Sequence, residues 1–600
     1  MTEAPKIAYE PEFPHPFVDR SQYDEEPKGT WAPRAILELR MYQLSATLRE
    51  KPEWWRKARD PEIRQKWLEE AKSQQEKEEK RWRLWDSNAR SVQINYTLGE
   101  LEDYAQLRDE ETGIECGPYE CIWRSDKLIP DDLRTALRAA VAPLEDVPED
   151  QKDWHPGSDK QVLDLVHPSL YPLVYGKTLG KQPDGSIGTF APPSPSSRSP
   201  GDPLVEYGLQ DAEVLRSFIS PRFQWLPSDF EVREDGSVRL TSSYVNNVPP
   251  EHAPRLIPVL ERVVARAVPL WERVLGDLRR GEPKMRLGPV VESDSWVGAS
   301  KGLDCVWRDG EPEDPPEDDE YYDSNDLDWE TYKARRDAWF AGKEMALPEA
   351  PGEYDGKLVE GREMFSLRGR KIQVITKLAN IVLGPDNPTY PGGTWHVEGM
   401  WNERIVSTFI YYYDSENIQD TTLAFRQATA EPLYHQQDDV FCMWTLYRME
   451  RDRACVQDIG SIQTKEGRCI AFPNLFQHKV SPFTLTDPTK PGVRKILALF
   501  LVDPTRPVPS ATDIAPQQKD WVQDALYNAQ LSPSNRLSTL PTELITTIEA
   551  DLTPWLMSRE EAEAVRAELM EERSVKRDEE GEVVEGEGTL FSGGFNMCEH

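Results

Sequence analysis

The stretch GRCIAFPNLFQHKVSPF (467–483), followed by GVRKILALFLVDP (492–504), decides the fold of this chain. Each segment holds a short apolar run that ends at Pro, Asn or Asp. Three similar runs precede them along the chain: KIQVITKLANIVL (371–383), RIVSTFIYYY (404–413) and DDVFCMWTLY (438–447). Short, regularly spaced runs with this punctuation are typical of β-sandwiches and β-barrels. The sequence therefore predicts a β-rich core over residues 371–504.

The regions on either side of this core have a different pattern. Amphipathic and Lys/Glu-rich segments predict helices before and after it, so we expect an α+β protein with helical N- and C-terminal extensions. The expected divisions are an arm with charged helices (1–89), a mixed α/β region (90–370), the β core (371–504), C-terminal helices (505–575) and an acidic flexible tail (576–600). Helices are expected within 33–86 and at 131–142, 254–278, 512–529, 541–551 and 558–572, with a hairpin turn at 235–236. The stretches near 186–203 and 308–330 are too polar to pack, so we expect them to be disordered loops.

The overall charge argues against several classes of partner. Formal net charge is −35, from 71 basic and 106 acidic residues, and such a surface repels nucleic acid and anionic membranes. The N-terminus lacks the basic and apolar pattern of a secretion signal, and the apolar run at 496–502 is too short to cross a membrane. We expect a cytoplasmic protein, with a nuclear location left open, that acts on a small molecule. The oligomeric state is not indicated.

Cysteine usage points to a reducing compartment. The seven cysteines are scattered, which does not resemble a disulfide framework. Cys116 and Cys121 are close enough to suggest a metal-binding knuckle, but no second Cys/His pair accompanies them. Two ordinary buried thiols are the favoured interpretation.

Candidate metal ligands occur in the β-rich core. His396 and Glu398 are two residues apart, so on a strand or strand end they would point to the same side. Such a pair alone is weak evidence, because histidine and glutamate fall at this spacing by chance. His478, on a later apolar strand, completes the two imidazoles and one carboxylate with which proteins hold Fe(II) for oxygen chemistry.

A cation for an anionic co-substrate follows on the next strand. Arg494 opens that strand, and its planar fork suits a carboxylate such as that of 2-oxoglutarate. Lys495 is the alternative, since adjacent strand residues point to opposite faces. Lys377, on an earlier strand, is a second possible contact with 2-oxoglutarate; a surface lysine at a sheet edge is the other interpretation.

Together these motifs resemble the Fe(II)/2-oxoglutarate-dependent dioxygenase superfamily. The matching features are His-x-Glu (396–398), His-x-Val-x-Pro (478–482) and Gly-x-Arg (492–494). The resemblance implies a double-stranded β-helix, of jelly-roll or cupin-like form, that holds iron and uses 2-oxoglutarate and O₂ as co-substrates. The stretches YPGGTWHVEGMWNERI (390–405), VLDLVHPSLYPLVYG (162–176) and QWLPSDFEV (224–232) look more closely like a large, mainly fungal family catalogued as a domain of unknown function.

The resemblance also sets expectations about chemistry. With Glu398 in the carboxylate position no place is left for halide, so hydroxylation, desaturation or ring closure of an amino acid or secondary metabolite is expected. A Jumonji-like enzyme acting on protein side chains is an alternative. A non-catalytic cupin-like binding protein and a cupin-type metal enzyme without 2-oxoglutarate also remain open.

Several residues flank the expected cavity and are candidate substrate contacts. They are Trp395, Tyr411, Tyr413, His435 and Asn474. The tyrosines belong to one strand, so at most half of their run can face inward. Aromatic packing is the competing interpretation for the rings, and a loop position for His435.

Overall fold

The fold is taken from a computed structural model. It describes residues 13–16, 31–79, 87–193, 219–281, 286, 306–307, 338, 345–346, 353–429, 432, 440–449 and 454–573. The predicted disordered loop at 308–330 and the tail at 576–600 lie outside the described residues, as do most of the arm at 1–33 and part of the loop at 186–203.

Helices occur on both sides of the β-rich region. They are α1 (Ile36–Arg49), α2 (Trp54–Lys57), α3 (Pro61–Glu79), α4 (Ser87–Leu107), α5 (Asp131–Glu145), α6 (Ala253–Arg280), α7 (Val440–Tyr447), α8 (Lys519–Leu531), α9 (Thr542–Leu552) and α10 (Arg559–Glu572). Helix α10 begins where the hydroxyl of Ser558 accepts a hydrogen bond from the Glu561 amide at 3.2 Å, as an N-cap residue does. Among the described helices, none combines the length and the apolar character needed to cross a membrane.

The strands are shorter in the first half of the chain than in the second. They are β1 (Glu115–Cys116), β2 (Trp123–Ser125), β3 (Val162–Val166), β4 (Leu173–Val174), β5 (Leu179–Lys181), β6 (Ile187–Thr189), β7 (Phe223–Gln224), β8 (Ser228–Val232), β9 (Val238–Leu240), β10 (Val306–Trp307), β11 (Met345–Ala346), β12 (Lys371–Leu383), β13 (Thr389–Tyr390), β14 (Ile405–Glu416), β15 (Thr421–Ala428), β16 (Val456–Thr464), β17 (Cys469–Pro473), β18 (Phe476–Val480), β19 (Phe483–Thr484) and β20 (Gly492–Val502).

A large antiparallel sheet forms the centre of the structure. Its order is β1-β2-β17-β14-β20-β12-β8-β9, and β3 also pairs with β12. In the register of β12 with β20, Ile381 lies opposite Arg494 and Lys377 opposite Ala498. Paired residues point to the same side of a sheet, so these four side chains share one face.

A small sheet, β16-β15-β18, lies against that face. The Phe425 ring of β15 lies 5.0 Å from the Phe472 ring of β17, and the contact is edge to face. We call the side of the large sheet that meets the small sheet its inner face, and the opposite side its helix face. The two sheets do not join into one closed barrel in the described part of the chain.

Helices cover the other side of the large sheet. The buried Trp271 of α6 lies with its ring 6.2 Å from that of Phe409 on β14. Helix α6 and the backbone at Glu363 pack so closely that only glycine fits between them, since a Cβ on Gly276 would lie 1.8 Å from the carbonyl oxygen of Glu363. The apolar positions of α6 recur every three to four residues, which is why the predicted helix at 254–278 forms here.

Three short segments connect the two sheets, at 417–420, 465–468 and 474–475, and the last is the shortest. β17 belongs to the large sheet and β18 to the small one, and only Asn474 and Leu475 separate them. The stretch that decides the fold therefore contributes a strand to each sheet.

The prediction of an α+β fold with helices at both ends is confirmed, as are the hairpin at 235–236 and the strands within 371–383, 404–413, 467–474 and 492–502. The prediction of a strand over 438–447 is wrong. The described part of that segment, 440–447, forms helix α7, because Met443, Leu446 and Tyr447 follow helical spacing and are buried.

Candidate metal centre

His396 and His478 are joined through their backbones. The His478 amide donates to the His396 carbonyl at 2.9 Å, and the His396 amide donates to the His478 carbonyl at 3.3 Å. Residues paired in this way point to the same side, so the two imidazole rings meet with centroids 4.3 Å apart. The backbone, not the side chains, sets the spacing of the two rings.

Glu398 lies between these rings. Its Oε1 is 3.4 Å from His478 Nε2 and 3.8 Å from His396 Nε2. Burial raises the pKa of Glu398, but its hydrogen bond with His478 and the charges of the two imidazoles and Lys377 lower that pKa overall, to about 2. The carboxylate is therefore ionised at neutral pH, as a metal ligand must be.

The surroundings of the two imidazoles differ. His396 Nδ1 lies 2.8 Å from the Thr394 carbonyl oxygen, a bond that requires the proton on Nδ1 and leaves a lone pair on Nε2. His478 is buried, and its ring packs edge-on against Phe472 at 4.8 Å. The side chain of His396 is 47% exposed, so the group is closed on the His478 side and open to solvent on the other.

Asn474, a predicted substrate contact, is instead engaged with the backbone. Its Oδ1 accepts from the Glu398 amide at 2.9 Å, and its Nδ2 donates to the carbonyls of Glu398 and Ile405 at 2.9 and 3.1 Å. The residue is 1% exposed. Its geometry is that of a positioning residue for Glu398.

The donor set fits a divalent metal ion. One nitrogen of each histidine and one oxygen of Glu398 lie within 4.8 Å of one another. Two imidazoles and one carboxylate suit Fe(II), and the same set also binds zinc.

Arg494 lies on the inner face and Lys495 on the helix face. Lys495 pairs with Glu145 of α5, Nζ to Oε2, at 2.7 Å. Arg494 is 1% exposed and donates from Nη2 to the Gln419 carbonyl at 3.3 Å, while its Nε and Nη1 have no hydrogen bond within the described residues. Its guanidinium lies 4.6 Å from the centre of the Phe483 ring, and burial lowers its pKa.

Lys377 also belongs to the inner face. It lies opposite Ala498 on β20, in the interior of the large sheet and not at an edge. Within the described residues no ion pair to its ammonium group is found. Its charge contributes to the low pKa of Glu398, which locates it near the candidate metal ligands.

The predicted substrate contact Trp395 needs correction. Because it is adjacent to His396, its ring lies on the outer side of the small sheet. There it is flanked by Arg426, 4.8 Å from its centre, and by Lys479, 4.6 Å from it.

Tyr411 and Tyr413 need the same correction. Tyr411 pairs with Leu497, which points to the opposite face of β20 from Arg494. Both tyrosines carry buried hydroxyls without a hydrogen bond in the described residues. The charges that act on the Tyr413 hydroxyl include those of Glu145 and Arg138 on α5, besides the adjacent Asp414, so its ring belongs to the helix face. Tyr412, which the sequence did not single out, lies on the inner face near Arg494. The predicted contact His435 lies outside the described residues.

A second group of potential ligands was missed in the sequence. His155, Asp164 and His167 bring one ligand atom each within 4.8 Å of one another. Burial raises the pKa of Asp164, but His167, a hydrogen bond from His155 and the charge of Lys377 lower it to about 2. The only sequence signal is Asp-x-x-His at 164–167, which is common by chance.

Cys116 and Cys121 are buried free thiols, as the favoured interpretation had it. Burial raises the pKa of Cys116 to about 12 and that of Cys121 well above its usual value. Neither belongs to a metal-binding group among the described residues.

Comparison with known proteins gives one extensive match. The family described as "Protein of unknown function (DUF4246)" matches residues 91–525, and "Domain of unknown function DUF4246, N-terminal" matches residues 2–70. No curated protein matches the chain.

Three solved structures overlap small parts of the chain. They are a selenomethionine-labelled Fe(II)/(alpha)ketoglutarate-dependent dioxygenase, TqaL (17% identity, TM-score 0.15, covering 26% of this chain and 50% of that one), IDO from Bacillus thuringiensis (8%, 0.14, 22% and 46%) and a bsmA homolog from Methylobium petroleophilum PM1 (13%, 0.15, 27% and 57%). The chain thus spans about half the length of each structure it overlaps. With overlaps this small, fold and function rest on the residues of the chain itself.

Proposed function

This chain belongs to the DUF4246 family of proteins of unknown function, and we propose that it is a non-haem Fe(II), 2-oxoglutarate-dependent oxygenase. The observation that carries the proposal is the convergence of His396, Glu398 and His478 from two segments of the chain. A buried arginine that makes no ion pair among the described residues, on the sheet face that looks toward this group, supports it.

The core is proposed to be a double-stranded β-helix. Two antiparallel sheets face each other, and the chain passes from one to the other at Asn474. His478 on β18 of the small sheet and His396 in the segment bridged to it supply the two imidazoles.

His396, Glu398 and His478 would hold the iron through Nε2, a carboxylate oxygen and a ring nitrogen. When bound, Fe(II) with 2-oxoglutarate and O₂ supplies an oxidant that removes hydrogen from a substrate carbon. The chain contributes the orientation of the ligands. The Thr394 carbonyl directs the lone pair of His396, and Asn474 holds the backbone of Glu398.

Arg494 would bind the distal carboxylate of 2-oxoglutarate. Two nitrogens of this buried guanidinium have no hydrogen bond among the described residues, which is costly unless an anion joins it, and 2-oxoglutarate would supply one. Its planar fork can bond both oxygens of a carboxylate at once. Lys377, on the same inner face, would add a second positive charge toward the co-substrate.

The substrate is proposed to be a small molecule, such as an amino acid or a secondary metabolite. It would approach from the open side of the group, where His396 is exposed, while Phe472 closes the side of His478. Hydroxylation is the default outcome, and desaturation or ring closure follows from the same hydrogen removal.

The test is to add Fe(II) and 2-oxoglutarate to the protein without oxygen and to record the visible absorption of an iron–ketoacid complex. We expect a charge-transfer band in the wild type and in His252→Ala, a control histidine away from the site. His396→Ala should lose both the band and the bound iron. A wild-type protein that is loaded with iron but gives no band, and no succinate when O₂ is admitted, would refute the proposal.

A further inference from the structure

A short hairpin brings His155 next to Asp164. Trp154 bridges to Leu163, and the Asp164 amide donates to the Asp153 carbonyl at 2.9 Å. Across this pairing the Nδ1 atom of His155 lies 2.8 Å from Oδ2 of Asp164. Residues nine positions apart are thus held together by the backbone of the hairpin.

His167 follows strand β3 and turns back toward this pair. Its ring centroid lies 5.2 Å from that of His155, and the three potential ligand atoms are all within 4.8 Å of one another. Asp164 and His167 are both buried, with 4% and 5% of their surfaces exposed.

The carboxylate of Asp164 has fewer hydrogen bonds within the described residues than its two oxygens can accept. Its buried Oδ1 has no hydrogen bond among the described residues. The Arg566 guanidinium comes only to 3.9 Å from Oδ2, and the same nitrogen, Nη1, makes two closer contacts, of 2.9 and 3.0 Å, with Asp153. A buried carboxylate oxygen without a donor is a place where a cation is favoured.

The group opens onto a cavity of about 310 Å³. Asp164 and His167 form part of its wall, and the other lining residues include His252, Trp521 and Arg559. A small ligand or a water molecule in this space could approach Asp164 and His167.

We propose that His155, Asp164 and His167 form a second site for a divalent transition-metal cation such as zinc. Two imidazoles and one carboxylate are a zinc donor set, and three protein ligands leave a fourth position that would face the cavity. A cation bound between Nδ1 of His155 and Asp164 would take the place of the hydrogen-bonded proton, which the neutral imidazole would then carry on its other ring nitrogen.

The ligands of this site are different from those of the proposed oxygenase centre, although the charge of Lys377 acts on both Asp164 and Glu398. Its residues lie on β3 and the hairpin before it, whereas His396, Glu398 and His478 lie beside the small sheet. The two proposals can therefore fail separately.

The test removes the first site and counts metal at the second. In the full-length variant His396→Ala/His478→Ala, titration with Co²⁺ is followed by its visible ligand-field absorption. We expect one equivalent of Co²⁺ to bind. Adding His167→Gln should weaken that binding by more than the ~10- to 100-fold typical for loss of a partner outside the ligand shell.

His252→Gln, added to the same background, is the matched control, because His252 lines the cavity but lies outside the group. It should leave Co²⁺ affinity unchanged. His155→Gln, at a partly exposed position, repeats the test if His167→Gln disturbs folding as judged by circular dichroism. The proposal is overturned if the background variant binds no Co²⁺, or if His252→Gln weakens binding as much as His167→Gln does.

Discussion

Asn474 holds the backbone of Glu398 from both sides. Its side-chain oxygen accepts from the Glu398 amide at 2.9 Å, and its side-chain nitrogen donates to the Glu398 carbonyl at 2.9 Å. The same nitrogen reaches the Ile405 carbonyl at the start of β14. The segment that carries the candidate carboxylate is thereby tied to the turn between the two sheets.

We expect Asn474→Asp to weaken metal binding by ~10- to 100-fold, the effect typical of partners that orient a ligand. Aspartate keeps the acceptor for the Glu398 amide but sets a negative charge against two carbonyl oxygens. Metal affinity can be measured by anaerobic Fe(II) titration. The free energy of unfolding should also fall, by about 1–3 kcal/mol, because buried carbonyls lose their donor.

Asn417→Asp is the control for this variant. Asn417 has a similar set of bonds, since its Oδ1 accepts from the Asp487 amide and its Nδ2 donates to the carbonyls of Asp487, Lys490 and Pro491. It should lose stability without losing metal affinity. Equal losses of metal affinity in the two variants would show that Asn474 does not act through Glu398.

Replacing Arg494 by Met should weaken 2-oxoglutarate binding at least ~10-fold, because charge-assisted hydrogen bonds are worth about 1.5–3 kcal/mol each. Iron affinity should be unchanged. Without 2-oxoglutarate, the free energy of unfolding should stay the same or rise, since the variant removes a buried charge of which two nitrogens lack a hydrogen bond among the described residues. Isothermal calorimetry and urea unfolding measure the two effects.

Lys495→Met is the matched control for Arg494→Met, one residue along the same strand. It breaks the ion pair with Glu145 on the helix face and should not alter 2-oxoglutarate affinity. If Lys495→Met weakens that affinity as strongly as Arg494→Met, the assignment of the faces is wrong.

Tyr411→Phe and Tyr413→Phe should leave 2-oxoglutarate-dependent turnover unchanged. Both hydroxyls are buried without a hydrogen bond among the described residues, so their removal should be neutral or should stabilise the protein by up to ~1 kcal/mol. Tyr412→Phe, on the inner face, should instead change 2-oxoglutarate affinity. Thermal unfolding and succinate release report the two properties. A large loss of turnover in Tyr411→Phe would contradict this assignment.

Acid should destabilise the protein through Glu120. Its carboxylate accepts from Tyr42 at 3.0 Å, from Arg362 at 2.7 Å and from Arg280 at 3.3 Å. Burial raises the pKa of Glu120, but Arg362 and Arg280 lower it overall, from 4.5 to about 2. A pKa that is lower in the folded state gives stability that is present above the unfolded value and is lost as pH falls toward the folded value.

We therefore expect the free energy of unfolding to decrease between about pH 4.5 and about pH 2, and Glu120→Gln to reduce that slope. The variant should also be less stable at pH 7, because Arg362 and Arg280 lose their counter-ion. Urea unfolding across pH measures both. Asp132→Asn, which breaks only the exposed pair with Arg262, should behave like the wild type. An unchanged slope in Glu120→Gln would exclude this carboxylate as the cause.

The sequence predicted the frame of the β-rich core because its long strands are continuous apolar runs. Strand β15 was not predicted, because its apolar content is low. Its buried apolar residues, such as Leu423 and Phe425, alternate with less buried positions. The run ending at Tyr447 satisfied both helical and strand patterns, and packing on one side decided for a helix.

The candidate site, like the fold, could be predicted from the sequence only in part. The order of His396, Glu398, His478 and Arg494 along the chain was readable, since each follows a recognisable local pattern. Which tyrosine of the 411–413 run faces inward could not be predicted, because it depends on the register of β14 with β20 and on the irregularity between Tyr412 and Asp414. The group around Asp164 was also hidden, since a hairpin brings its members together.

The backbone bridge between His396 and His478 has a consequence for the history of such chains. Its two hydrogen bonds use peptide groups alone, so they survive any change of the imidazoles except to proline. A chain that exchanged either histidine would keep the same architecture around an empty centre. If the proposed function holds, loss of catalysis and loss of structure would be separate events, because the backbone bridge does not depend on the side chains that would hold the metal.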